Sequence, residues 1–248
     1  MPFTLAHTAV VFPLCKSRHR FSVTALVIGS MAPDFEFFFQ MREVENIGHH
    51  WYGVVLFDMP VTLICCYLYH NFLRKAFIAN LPFYFYRRFA YVKIFNWNRY
   101  ASAHSAKVVV SALIVIGSHL LWDGFTHYNG FFVEMFPVLS ASLNVYERTI
   151  PVYFCLQILC SVAGLCFVFY RIDHMPKLFV NENHPCRHPL YWTVFTSVFL
   201  VIMGARLLLW NQYNSFWGVF MANMGAFMYG WLLTTLIYQN YLLKKQTK

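Results

Sequence analysis

Five stretches of this chain stay apolar for the length that crosses a bilayer: residues 52–72, 106–125, 151–170, 191–211 and 215–241. A membrane-spanning helix needs about 20 mostly apolar residues. A sixth apolar stretch, FSVTALVIGSMAPDFEFFF at 21–39, is interrupted by Pro33, Asp34 and Glu36. Proline disfavours helix in the residue before it, so the pattern predicts a short helix to about Met31 and then a turn, re-entrant or interfacial rather than spanning. The fold expected is all-α: a polytopic membrane helical bundle of about five transmembrane helices, plus short N-terminal helices folded over one end. Residues 1–50 would contribute to a polar pocket and residues 51–248 would form the transmembrane bundle, the whole being one integral domain.

Composition agrees with the pattern. Hydrophobic residues make up 59% of the 248 and charged residues 12%, too apolar for an ordinary soluble domain. The net charge of +9 raises the question of nucleic acid, but membrane proteins gather Lys and Arg in cytoplasmic loops, and no nucleic-acid partner is expected. Residues 74–107 carry Arg74, Lys75, Arg87, Arg88, Lys93, Arg99 and Lys107 and no acid. Residues 171–191 add Arg171, Lys177 and Arg187, and the tail adds Lys244, Lys245 and Lys248. With five spans these regions share one side, which should be cytoplasmic. Residues 122–149, with Asp123, Glu134 and Glu147 against Arg148, then face outward. The segment PFYFYRRFAYVKIFNWNRY (82–100) reads as an interfacial helix, its rings among headgroups and its bases on anionic lipid. The N-terminus lacks the basic start of a cleavable signal peptide. The seven cysteines form no CxxC and read as packing residues.

The chemistry lies in polar residues that break the apolar runs. In SHLLWDGFTH (118–127), His119, Asp123 and His127 recur every four residues. Steps of four turn by about 40° on a helix, so the three form one narrow stripe if the helix continues past Gly124. His7, the Asp34/Glu36 pair, and His49 with His50 sit beside other apolar runs. Such groups cost several kcal/mol in apolar surroundings unless paired or bound to metal. A metal site and a set of buried, hydrogen-bonded polar groups are the two accounts. With nitrogen and oxygen donors and no cysteine nearby, Zn²⁺ is the first choice of cation, with Mn²⁺ and Fe²⁺ as alternatives. Asp58 is a candidate acceptor for a ligand histidine. Arg206 is expected to snorkel to the interface.

The motifs MPFTLAHTAVVFPL, ALVIGSMAPDFEFF, HHWYGVVLFDMP and LLWDGFTH resemble, in order, those of the bacterial membrane family called domain of unknown function 4184. IPVYFCLQILCSVAG resembles its next span. That family looks like the membrane-bound metal-dependent hydrolases and, more distantly, zinc-dependent phospholipase C. The resemblance implies metal ligation by His7, Asp34, His49, His119, Asp123 and His127. His50 competes with His49, because this chain reads Gly48-His49-His50 where the family has Ser-His-Ser or Ser-His-Thr. No HxxxE pair follows, which sets the chain apart from the phospholipases. The function expected is a metal-dependent hydrolase of the bacterial inner membrane. It would act on a phosphoester at the lipid surface through an activated water, with Asp34 or Glu36 taking the proton and the pocket toward the outer face. The alternative is a non-catalytic membrane protein with a structural metal site or an ion or proton pathway.

Overall fold

The computed structural model describes residues 3–15, 20–44, 46–145, 148–179 and 189–246. Glu147, Arg187 and Lys248, which entered the charge argument, lie outside the described residues, as do the side chains of Arg148, Lys244 and Lys245. In chain order the helices are α1 (Thr4–Cys15, 3₁₀ as far as Val10), α2 (Val23–Gly29), α3 (Phe35–Gln40, entered through a 3₁₀ turn at Ala32–Asp34), α4 (Val54–Asn80), α5 (Phe83–Phe89), α6 (Trp97–Ala103) and α7 (Ser105–Thr126). Two short helices, α8 (Phe131–Met135) and α9 (Pro137–Ser140), and a hairpin of β1 (Ser142–Val145) with β2 (Arg148–Pro151) follow. The hairpin strands pair antiparallel, Leu143 opposite Ile150. The chain ends in α10 (Val152–Asp173), α11 (Pro189–Leu209) and α12 (Phe216–Gln246).

Among the described residues five helices are long and apolar enough to cross a membrane: α4, α7, α10, α11 and the Phe216–Gln239 part of α12. They are mostly exposed to the surroundings, Leu159, Val201 and Leu208 being 63%, 71% and 81% accessible. Surfaces so apolar belong in lipid, and the chain is an integral membrane protein.

The residues fall into two compact units. The first comprises Met1–Asp34, Ile47–Leu63 and Ala103–His174. In it α1 and α2 are laid against long helices by small residues. A Cβ on Gly164 of α10 would stand 2.8 Å from the Cβ of Ala6, and one on Gly29 would stand 3.3 Å from the Cα of Ala112 on α7. Two hydrogen bonds fix these approaches: Phe3 N–H donates to Ser161 Oγ at 2.9 Å, and Ser22 N–H to Ser111 Oγ at 2.8 Å. Ser161 and Ser111 are well inside their helices. The N-terminal helices therefore lie alongside the spans, not over one end as the sequence led us to expect. At seven residues α2 is about 10 Å long, far short of the ~30 Å hydrocarbon core. It is too short to span.

The second unit comprises Phe35–Asn46, Ile64–Ser102 and Met175–Lys248. Here α4 runs on to Asn80, past the limit at residue 72 that Arg74 and Lys75 imposed on the sequence. Arg74 turns inward, donating to Nδ1 of His70 at 2.9 Å and to the Phe95 carbonyl at 2.7 Å, while the His70 ring stacks on Trp97. Arg206 also departs from expectation. It is buried rather than snorkelling, because Met41 O, Tyr213 O and Trp210 O at 2.9, 3.0 and 3.3 Å, with Asn214 Oδ1, satisfy its guanidinium within the protein. Residues 82–100 form α5, a 3₁₀ turn at Ala90–Ile94 and the start of α6 rather than one continuous helix, held by a core of Ile78, Leu81 and Tyr86.

Candidate metal centre

The first unit gathers five side chains from four segments. His7 comes from α1, Asp34 from the turn after α2, His49 from the loop before α4, and His119 and Asp123 from α7. The helix of α7 does pass Gly124 and ends at Thr126, so His119 and Asp123 share one buried face. His127 is the first residue beyond it. Asp34, His49, His119 and Asp123 each offer one atom, and these atoms all lie within 4.8 Å of one another.

Their spacing carries the chemistry. His49 Nε2 stands 3.4 Å from Asp34 Oδ1 and 3.3 Å from Asp123 Oδ2. His119 Nε2 stands 3.5 and 3.3 Å from the same two oxygens. Good charge-assisted hydrogen bonds are about 2.7–2.9 Å long, so these four separations are too long for them. A tetrahedron with bonds of ~2.0–2.1 Å has edges of ~3.3–3.4 Å, which these separations match. These are four of the six separations in the set, and the cluster could hold a cation.

Asp123 faces two ways. Its Oδ2 serves the set just described. Its Oδ1 stands 3.4 Å from His7 Nε2 and 3.8 Å from His127 Nδ1. Neither nitrogen of His7 makes a hydrogen bond although the residue is 2% exposed, an arrangement that is costly without a ligand.

The outer contacts orient the donors. His119 Nδ1 donates to the Ser30 carbonyl at 2.8 Å. A carbonyl can only accept, so Nδ1 carries the hydrogen and Nε2 is the ring atom turned to the carboxylates. Thr4 Oγ1 donates to Asp34 Oδ2 at 2.5 Å, leaving Oδ1 to the cluster. His127 Nδ1 donates to the Asp123 carbonyl at 3.1 Å, and its Nε2 is buried without a hydrogen bond. The His127 side chain is 32% accessible and that of His49 11%, so the site meets its surroundings at this edge.

Burial works against charge on His49, yet polar contact with Asp123 and Asp34 raises its pKa to about 9. Burial also opposes ionisation of Asp34, but the His119 and His49 imidazoles overcome it and hold its carboxyl below the usual range. His7 falls to about 3 through burial and then through the neighbouring His119. Burial lowers His127 too, partly offset by Asp123.

Of the residues singled out in sequence, His7, Asp34, His49, His119 and Asp123 are brought together, with His127 at the edge. His50 is turned away, its ring stacked on Tyr52. Glu36 belongs to the second unit, where its carboxylate accepts from Gln40 Nε2 at 3.3 Å. Asp58 is fully buried in a π-helical turn at Val54–Asp58, in the first unit. Sequence reading missed Thr4, the Ser30 carbonyl and Gly164. A hydroxyl, a carbonyl and a missing Cβ carry no signal until a fold sets them beside a ligand.

Fold and site together define a class: an integral membrane protein with a buried cluster of histidines and aspartates able to hold a metal ion. Over residues 1–239 the sequence matches the family described as Domain of unknown function (DUF4184), and the chain belongs to that family. No curated protein and no solved structure matches it.

Proposed function

We propose that this protein is a membrane-embedded metal-dependent hydrolase with a pair of divalent cations, Zn²⁺ first, acting on a phosphoester at the membrane surface. The observation that carries the reading is the division of Asp123, with Oδ2 toward His49 and His119 and Oδ1 toward His7. One carboxylate serving two donor sets is the device of paired-metal hydrolytic sites. The first set, with Asp34, supplies four nitrogen and oxygen donors, a set that suits Zn²⁺. The second set has His7 Nε2 and Asp123 Oδ1, with His127 beside them, and so leaves room for water and substrate.

A divalent cation supplies Lewis acidity and brings the pKa of water toward ~7. The chain does the rest. Thr4 and the Ser30 carbonyl fix the direction of Asp34 and His119. Burial of His7 keeps its imidazole neutral and available as a donor. The apolar walls of α1, α2 and α7, through Val11, Leu26 and Val115, keep bulk water out. The partly exposed edge at His127 and His49 admits the phosphoester, and the proton falls to Asp34, since Glu36 belongs to the second unit.

A second reading has one observation in its favour. Four protein donors complete a tetrahedron, and structural sites are closed in that way. Metal analysis of the purified full chain, followed by assay with soluble and lipid phosphoesters, separates the two. The hydrolase reading expects more than one cation per chain and metal-dependent turnover. A single non-exchanging cation without turnover would establish the structural site instead.

A further inference from the structure

Beside the cluster, within the first unit, α7 and α10 part to leave a cavity of about 420 Å³. Ser118, Leu121, Trp122 and Phe125 line it from α7, and Leu156 and Cys160 from α10. None of these side chains is charged. Both helices are long and apolar enough to cross a membrane, and the cavity occupies the last turns of one and the first turns of the other. Its open side therefore faces hydrocarbon. Leu121, on that side, is 57% exposed.

The cavity adjoins the ligands. Trp122 forms its inner wall and packs its ring edge-on to His7, with centroids 5.4 Å apart. Asp123 is the next residue in the chain. Thr126, which also lines the cavity, precedes His127. From Ser118 to Thr126 the helix advances about 12 Å, from within the span to the exposed edge of the cluster. Around that edge Trp51 is 84% exposed and Tyr128 75%, ring-bearing residues of the kind that sit among lipid headgroups.

We infer that the cavity holds one acyl chain of a membrane phospholipid whose phosphoester reaches the His/Asp cluster. Three observations choose this occupant: the walls are apolar, the open side faces hydrocarbon, and the polar end of the cavity is the edge where the ligands meet their surroundings. The headgroup end of the assignment rests on the hydrolase reading. The chain end rests on the cavity alone.

The test uses the full chain in lipid nanodiscs doped with a phosphatidylcholine brominated along its acyl chain. The difference in emission between wild type and Trp122→Phe isolates Trp122 from the other tryptophans. Quenching of Trp122 should saturate at a low mole fraction of brominated lipid. Ser118→Phe, which fills the cavity, should raise the mole fraction needed by at least about tenfold, equivalent to losing roughly two methylenes from apolar contact. Cys160→Phe serves the same purpose should Ser118→Phe not fold, with cation content and thermal unfolding as controls. In the activity arm the filled variants should raise KM for the lipid phosphoester and leave a water-soluble phosphoester unaffected. Quenching that grows in proportion to mole fraction, equally in both proteins, would overturn the acyl-chain site. Saturable quenching with no hydrolysis by wild type would uphold the chain site and overturn the hydrolase reading on its own.

Discussion

The imidazoles of His7 and His119 lie face to face, centroids 3.8 Å apart and planes 19° from parallel. Two stacked imidazolium rings would repel, and His7 is held neutral partly by this neighbour. Each ring turns its Nε2 to a different oxygen of Asp123. The pair thus frames two adjacent donor sets that share one carboxylate.

Asp123 should be the residue on which cation content depends most. Asp123→Asn keeps the shape and removes the shared charge. It should strip most of the cation and lower any hydrolase activity by at least about 100-fold, without unfolding a bundle held by packing and backbone hydrogen bonds. His127→Ala, at the edge, should retain half or more. Metal per chain at fixed metal activity checks both, and full content in Asp123→Asn would return the site to a buried His–Asp hydrogen-bond cluster.

Loading should release protons. With its pKa raised to about 9, His49 is protonated at neutral pH in the cation-free protein, and only neutral imidazole binds a metal. Filling the first position should therefore expel at least about one proton at pH 7, and affinity should rise at least about tenfold per pH unit until roughly pH 9. His7, lowered to about 3, should add nothing in this window. Calorimetry in two buffers of different ionisation enthalpy counts the protons. A count of zero would mean that His49 is already neutral or is not a ligand.

Thr4→Val should weaken cation binding by about 10–100-fold, the usual effect of losing an outer hydrogen bond to a ligand. It removes the donor to Asp34 Oδ2 and keeps the side chain's shape. Thr4→Ser should restore binding. Competition with a chelating dye measures the affinities, and equal values for Thr4→Val and wild type would remove Thr4 from the site.

Gly164→Leu should displace α1 and His7 with it, because even a Cβ there would sit 2.8 Å from the Cβ of Ala6 and 3.0 Å from its carbonyl oxygen. We expect a loss of about 1–3 kcal/mol and reduced cation content. Gly117→Ala on α7, where a Cβ would meet nothing within 4 Å, should change stability by less than about 0.5 kcal/mol. Unfolding in detergent with parallel metal analysis compares them; matched losses would show that the close approach is not needed.

Lys93 and Asn144 lie in the stretches before and after the α7 span, so single cysteines placed there in a cysteine-free background should label from opposite sides. We expect Asn144→Cys to react from outside and Lys93→Cys only after permeabilisation. The reverse pattern would invert the protein in the membrane.

The spans were legible because their signal is local: sustained apolarity needs only length. The break at Pro33–Asp34 was legible for the same reason. The HxxxD stripe of α7 was readable from helical period alone. The extension of α4 to Asn80 was not, because the charge of Arg74 is answered by the carbonyl of Phe95, far along the chain. The choice of His49 over His50 depends on which way a turn faces. The hairpin strands at Ser142–Val145 and Arg148–Pro151 were not legible, being too short for a clear alternating pattern. The depth of α1 depends on Gly164, whose role is to be absent.

That depth has a consequence for the order in which the protein comes into being. His7 is made before the other ligands, but the groove that seats Ala6 belongs to α10, translated after all of them. Until that span has entered the bilayer Ala6 lacks the groove that seats it, and Asp123 Oδ1 lacks His7 beside it. The ligand synthesised first is therefore seated late, and the cluster closes only after the third span is in place.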